Sequence, residues 1–197
     1  MTNIFVARFP VAYYRWNKQT GISLVLVMIF LVILSGLGIT AMQSSTFSSR
    51  IARNESDRNI AFQAAEAALR DAENDIAYKR FDRITACATA ITGCRAQAIE
   101  GLLNFDAACT NGLCAGNSNP LVPQPWETAA NWTAAGNSVV YGLRTGATAL
   151  PVVSNQPRYL IEGYEVGIEK SAIYRVTAVG FGASITTQVM LQTTVKP

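Results

Sequence analysis

Four cysteines and no histidine set the limits of the chemistry this chain can do. Without imidazole, general acid-base work falls to carboxylates or lysine. The nearest carboxylate cluster, Glu162, Glu165 and Glu169, surrounds a predicted turn and is expected to be solvated. Gly180-Phe181-Gly182 has too few glycines for a dinucleotide fingerprint and follows the wrong kind of strand. Asp106 with Asn111, Asn117 and Asn119 supplies calcium-type oxygens, but the spacing matches no EF-hand loop. Zinc needs closer cysteine pairs and usually histidine, so no metal and no cofactor are expected. Asn131-Trp132-Thr133 fits a glycosylation acceptor, a triplet that also arises often by chance. The chain reads as a non-enzyme.

Cys87, Cys94, Cys109 and Cys114 are better suited to disulfides. Two short loops, Cys87 to Cys94 and Cys109 to Cys114, are the natural pairing, although four cysteines allow three connectivities. In a regular helix a separation of seven residues would place the α-carbons roughly 10 Å apart, beyond the limit of about 7 Å for a bridge. Gly93 is well placed to bend the chain between the first pair. Such bridges persist in an oxidising compartment, so they would need the segment carrying them to lie outside the cytoplasm.

The elements that would put it there stand at the start of the chain. Ile22 to Met42 is an uncharged apolar run of 21 residues, close to the roughly 20 needed for a helix to cross the hydrocarbon core. Arg8, Arg15 and Lys18 precede it, and Met1 to Gly21 contains no acid. The positive-inside rule therefore puts this leader in the cytoplasm and everything after Met42 outside. A secretory signal is cut after its apolar stretch, which is then lost. Here the junction Lys18-Gln19-Thr20-Gly21 followed by Ile22 places the only plausible cut before it. Cleavage after Gly21 makes Ile22 the new N-terminus and retains the apolar segment; the competing reading is an uncleaved signal anchor. Within the segment, Ser35, Gly36 and Gly38 mark either a local bend or small residues easing helix packing.

The formal net charge of +3 comes from 16 Lys plus Arg against 13 Asp plus Glu. Three of those bases sit in the leader, which leaves 13 of each sign after Gly21. A nucleic-acid binder keeps a concentrated positive face in its folded part, and none is expected here.

From Gln43 to Arg83 the chain is polar and free of Gly and Pro. Ile51, Phe62, Ala65, Leu69, Ala72 and Ile76 recur at helical steps, predicting an amphipathic continuation over residues 43–82. With Ile22 to about Phe81 as one helix, the element would be about 90 Å long. Residues 83–197 form the head. Val139 to Leu143, Tyr159 to Tyr164, Ala172 to Val179 and Thr186 to Thr194 read as strands. Alternation of Ile173, Arg175 and Thr177 with Tyr174, Val176 and Ala178 predicts an antiparallel sheet covered on one side. The fold class is α+β: a lollipop whose long N-terminal helix packs its C-terminal half on the sheet.

The glycine junction, the apolar run and above all Arg58-Asn59-Ile60-Ala61-Phe62-Gln63-Ala64-Ala65-Glu66-Ala67-Ala68-Leu69-Arg70-Asp71-Ala72-Glu73 resemble the N-terminal region of the PilX minor pilins of type IV pili. Asn111-Gly112-Leu113-Cys114, Trp126 and Tyr174-Arg175-Val176-Thr177-Ala178 are also similar to PilX proteins. The resemblance implies a class III prepilin leader cut after Gly21, methylation of Ile22, and a type IV pilin-like fold. It implies a minor pilin of a tip complex that primes pilus assembly and supports adhesion and twitching motility. Its implied partners are other minor pilins, the major pilin, a large tip-associated adhesin, prepilin peptidase and the inner-membrane assembly platform. Its implied location is the inner membrane before assembly and the pilus afterwards. The alternatives are a signal-anchored periplasmic enzyme or binding module, or a minor pseudopilin of a type II secretion system.

One departure from the general pilin pattern carries meaning. Most pilins place Glu at the fifth residue after the cut, where it neutralises the terminal amine of a neighbouring subunit. This chain has Leu26. A buried ammonium without its partner costs several kcal/mol, so a subunit lacking the acid is best tolerated where nothing lies ahead of it. Pseudopilins that cap secretion-system filaments show the same absence, and this resemblance implies a place at or near the pilus tip; the alternative is that Leu26 is a membrane-compatible residue in an anchor that never assembles.

Overall fold

A computed structural model describes residues 22–87, 93–119, 121–133, 136–168 and 170–196. The leader with Gly21, and Glu169, lie outside the described residues. Helix α1 is Ile22–Ile76, followed by β1 (Leu113–Ala115), α2 (Ala129–Thr133), β2 (Val139–Val140), β3 (Arg158–Val166), β4 (Ser171–Phe181) and β5 (Gln188–Val195). The chain divides into two units, one ending at Arg50 and the other beginning at Ile51.

In the second unit the strands form one sheet in the order β1-β3-β4-β5, with β2 also on β3. The long hairpin β3/β4 pairs Arg158 with Val179 through to Val166 with Ser171, and β5 pairs antiparallel with β4. The sheet is mixed rather than wholly antiparallel, because β1 runs parallel to β3 with Cys114 opposite Glu162. No periodicity announces a three-residue strand; its extended state comes from pairing with β3. The last three predicted strands are present with ends shifted by one or two residues, whereas β2 is only two residues long.

The core lies between the sheet and the part of α1 beyond Ile51. Ala68, Ala72 and Ile76 pack with Tyr159, Ile161, Tyr174, Val176 and Ala178. The predicted stripe holds at Ala65, Ala72 and Ile76 but not at its large N-terminal members. Ala61, Ala64, Ala65, Ala68, Asp71, Ala72, Asp75 and Ile76 are buried, while Ile51 and Phe62 are exposed. Alanine is favoured because the backbones come close: a Cβ at Gly180 of β4 would collide with the Ala61 carbonyl and the Ala65 amide. Larger residues are displaced to the flank of the helix.

α1 ends at Ile76, short of the expected residue 82. Tyr78 adopts φ 53, the Lys79 amide donates to the Asn74 carbonyl at 2.8 Å, and the Tyr78 amide donates to the Asp75 carbonyl at 3.1 Å. These are the two bonds of a Schellman motif. Its left-handed residue is a tyrosine instead of the usual glycine, so composition carried no stop signal.

The sheet's second face is also covered over β3, contrary to the one-sided expectation, and open along β5. Leu160 packs with Cys109 and Cys114, and Trp126 and Trp132 lie against them. Thr177, expected on an open face, is fully buried.

Candidate functional site

The first candidate region is the apolar start of α1. The helix runs unbroken through Ser35, Gly36 and Gly38, and a window within α1 reaches a mean hydropathy of 2.9. Its large apolar side chains are exposed from Ile22 onward, Leu26 being 51% exposed. Ser35 and Thr40 donate their hydroxyls back to the Val32 and Leu37 carbonyls at 2.9 Å, so neither brings an unsatisfied polar group into apolar surroundings. Nothing lies within 4 Å of a Cβ built at Gly36 or Gly38. An all-round apolar helix must be surrounded by lipid or by other apolar helices, and this one is long and apolar enough to cross a membrane.

The second region is the acidic side of the helix face in the head, which the apolar pattern did not reveal. Three aspartates on α1 each tie down a different segment. Asp57 Oδ1 accepts from the amides of Ala183 at 2.6 Å and Ser184 at 3.2 Å. The Thr187 side chain, followed by these amides, holds its carboxyl below the usual range. Asp71 Oδ2 accepts from the Gly142 amide at 2.8 Å, and Oδ1 accepts a short bond from the Thr145 hydroxyl. Burial pushes the Asp71 carboxyl up to about 6 in spite of these donors. Asp75 accepts from Arg95 Nε at 2.7 Å and from the Tyr159 hydroxyl at 2.9 Å. Burial, reinforced by Asp75 and Asp71, raises the Tyr159 phenol well above its ordinary value. Arg95 continues the chain of contacts by donating Nη1 to the Asn111 carbonyl at 3.0 Å. The signal for this network was an acid pair four residues apart within an alanine-rich face.

The third region is the opposite face of the sheet. Glu162 was expected to be solvated; it is instead fully buried in the middle of β3. Its two oxygens accept a fork from Arg175, Nε at 2.7 Å and Nη2 at 2.9 Å. The same Nη2 donates to Gln124 Oε1 at 2.9 Å, and the guanidinium lies 5.1 Å from the Tyr164 ring centroid. The hydrogen bond it donates to Glu162 raises the Arg175 pKa. Burial is possible because Arg175 lies directly across the ladder from Glu162; removing one member of such a pair costs about 3 to 5 kcal/mol. Glu165, by contrast, is exposed and sits 3.9 Å from Lys170.

The cysteines pair locally. Cys87 joins Cys94 with α-carbons 5.7 Å apart, and Cys109 joins Cys114 at 4.0 Å. Gly93 has φ 90, so the chain turns there. The second bridge fastens the segment around Cys109 to β1 and thereby to β3.

The remaining candidates are engaged in local structure. Asp106 accepts from the Thr110 amide, Asn117 from the Asn119 amide and Asn119 from the Leu121 amide. Asn111 Oδ1 accepts from Arg144 Nη2 at 2.9 Å. Asn131 is buried, donating Nδ2 to the Pro125 carbonyl at 2.8 Å and accepting from Asn137. That geometry is unlike an accessible glycosylation acceptor. Gly180-Phe181-Gly182 serves packing: a Cβ at Gly182 would meet the Asp57 carboxylate.

Taken together, the described residues show an apolar helix that needs company and a head tied to its own part of that helix by buried polar contacts. A family model described as PilX N-terminal matches residues 20–70, and one described as type IV pilus assembly protein PilX C-term matches residues 110–197. No curated protein and no solved structure matches the chain.

Proposed function

The chain belongs to the PilX family of type IV pilus proteins, and from that premise we propose that this minor pilin acts in the tip complex that primes pilus assembly. The family is structural rather than catalytic, and its N-terminal apolar helix fits anchoring in the inner membrane followed by incorporation into the pilus. On this reading prepilin peptidase cuts after Gly21, Ile22 becomes the methylated terminus, and α1 passes from lipid into the helical core of the filament. Residues 22–42 cross the membrane, residues 43–76 carry the head, and the head faces the periplasm before assembly.

The observation that supports the tip position is Leu26. Within the apolar run it supplies no carboxylate to pair with the amine of a subunit ahead, and a buried unpaired charge is costly. A subunit with nothing ahead of it avoids that penalty. On this reading its partners are other minor pilins, the major pilin, a large tip-associated adhesin and, during extrusion, the inner-membrane platform. Adhesion and twitching motility depend on the protein through the pili it initiates.

Leu26→Glu tests the position. At the tip the new carboxylate finds no ammonium and pays desolvation, so the amount of the protein in sheared pili, relative to the major pilin, stays level or falls. A clear rise in its incorporation would place it along the shaft and defeat the tip reading.

A further inference from the structure

Arg95 and Arg144 line one cavity of the head, about 510 Å³ in volume, within the range of small-molecule sites. Both guanidiniums are fixed on the same residue: Arg95 Nη1 donates to the Asn111 carbonyl at 3.0 Å, and Arg144 Nη2 donates to Asn111 Oδ1 at 2.9 Å. Two like charges are therefore held side by side. Asp75 neutralises Arg95 across 2.7 Å, whereas no ion pair among the described residues neutralises Arg144. Arg95, itself 6% exposed, keeps Nη2 buried without an acceptor, and Arg144 does the same with Nε. Buried donors are nearly all paired in folded proteins, so the arginine side of this cavity is short of acceptors.

The rest of the lining asks for donors. Asp106 borders the cavity, and the Thr110 amide and hydroxyl hold its carboxyl below the usual range. As a carboxylate it accepts hydrogen bonds and cannot donate them. It forms no ion pair with Arg144, so each is left to address a ligand. Gln97 and Asn104, both exposed, make no hydrogen bond with other described residues. Phe105 is fixed by stacking on Tyr174, whose hydroxyl donates to the Gly101 carbonyl at 2.9 Å. The walls are held in place as well. Asp71 fastens Gly142 and Thr145 on either side of Arg144, and the Cys109–Cys114 bridge closes the loop that carries Asn111.

We propose that this cavity binds an acidic sugar, with the carboxylate against Arg144, ring hydroxyls on Asp106, Gln97 and Asn104, and a C–H face of the ring on Phe105. The planar fork of an arginine matches a carboxylate. One unneutralised arginine, with Asp106 in the same lining, suits a single negative charge and disfavours a phosphate dianion. Asp106 requires a donor, which a hydroxyl supplies. Two side-chain amides without partners call for a ligand rich in hydroxyls, whereas an amino acid would bring one ammonium and leave those amides to water. The proposal concerns the head alone and is independent of the position of the subunit in the pilus.

The test uses the full-length protein purified in detergent, titrated with glucuronate and followed by saturation-transfer NMR. Glucuronate is expected to bind at least about tenfold more tightly than glucose, which lacks the carboxylate, and than glutamate, which lacks the hydroxyls. Arg144→Gln should weaken glucuronate binding by at least about tenfold while the two disulfides and the melting temperature are retained. Asn104→Glu, which adds a carboxylate at an exposed position of the lining, should weaken it likewise, and it carries the test should Arg144→Gln lose the disulfides. Glucose or glutamate binding as tightly as glucuronate, no binding of glucuronate, or binding unchanged in the folded variants would overturn the proposal.

Discussion

Asp71→Asn is expected to make the head more stable at neutral pH although it removes a carboxylate holding two donors. A buried carboxyl that titrates at about 6 instead of 3.8 carries an ionisation penalty of about 3 kcal/mol, at roughly 1.4 kcal/mol per tenfold change. The sign follows from proton binding. Between these two values the folded state holds a proton that the unfolded chain has released, so stability falls as pH rises from about 4 through about 6. Asp57, Asp82 and Asp106 are held below the usual range by hydrogen bonds. Their contribution is lost only at lower pH, below the window in which Asp71 titrates. Asparagine keeps an acceptor for the Gly142 amide and offers an amide donor to the Thr145 hydroxyl. Charge-assisted bonds are exchanged for weaker neutral ones, so the net gain at pH 7 is about 1 to 2 kcal/mol, or roughly 2 to 8 °C in melting temperature. At pH 4 the two proteins should melt alike. Thermal unfolding of the full-length protein in detergent, followed by the fluorescence of Trp126 and Trp132, measures this across pH 4 to 7.5. A wild-type stability that rises through that window, or an Asp71→Asn protein weaker at every pH, would refute the reasoning.

Gly180→Ala should cost the head at least about 2 kcal/mol, since the added methyl meets backbone atoms of α1 rather than a movable side chain. Gly36→Ala, where nothing lies within 4 Å, should leave head stability unchanged, and urea titration of the two variants beside the wild type measures both effects. Non-reducing peptide mapping should recover Cys87 linked to Cys94 and Cys109 linked to Cys114. Replacing Cys109 and Cys114 together by serine should remove about 2 kcal/mol in the chain-entropy account of short loops, and free thiols at all four positions in native protein would contradict the assumed compartment.

What the sequence could convey depended on the physical range of each signal. The apolar run beginning at Ile22 and strands β3, β4 and β5 were legible because each is a local pattern of many residues. Strand β1 was not, since three residues become extended only by pairing with β3. The end of α1 was hidden because a tyrosine takes the left-handed position at residue 78. Glu162 was misjudged because its burial depends on Arg175 across the hairpin. The helix face was legible at Ala65, Ala72 and Ile76 but not at Ile51 and Phe62, because close approach to Gly180 selects alanine; the buried Asp71 and Asp75 carry no apolar signal. Contacts with residues distant in the sequence made the difference for β1, Glu162 and the helix face, and a local backbone conformation for the end of α1.

The assembly account is tested most directly by mass analysis of the N-terminus of this protein recovered from inner membranes and from sheared pili. It predicts a chain that begins at N-methylated Ile22, without Met1 to Gly21, in both fractions, and that is scarce in pili relative to the major pilin. A chain that retains its leader in the membrane and is absent from pili would contradict it.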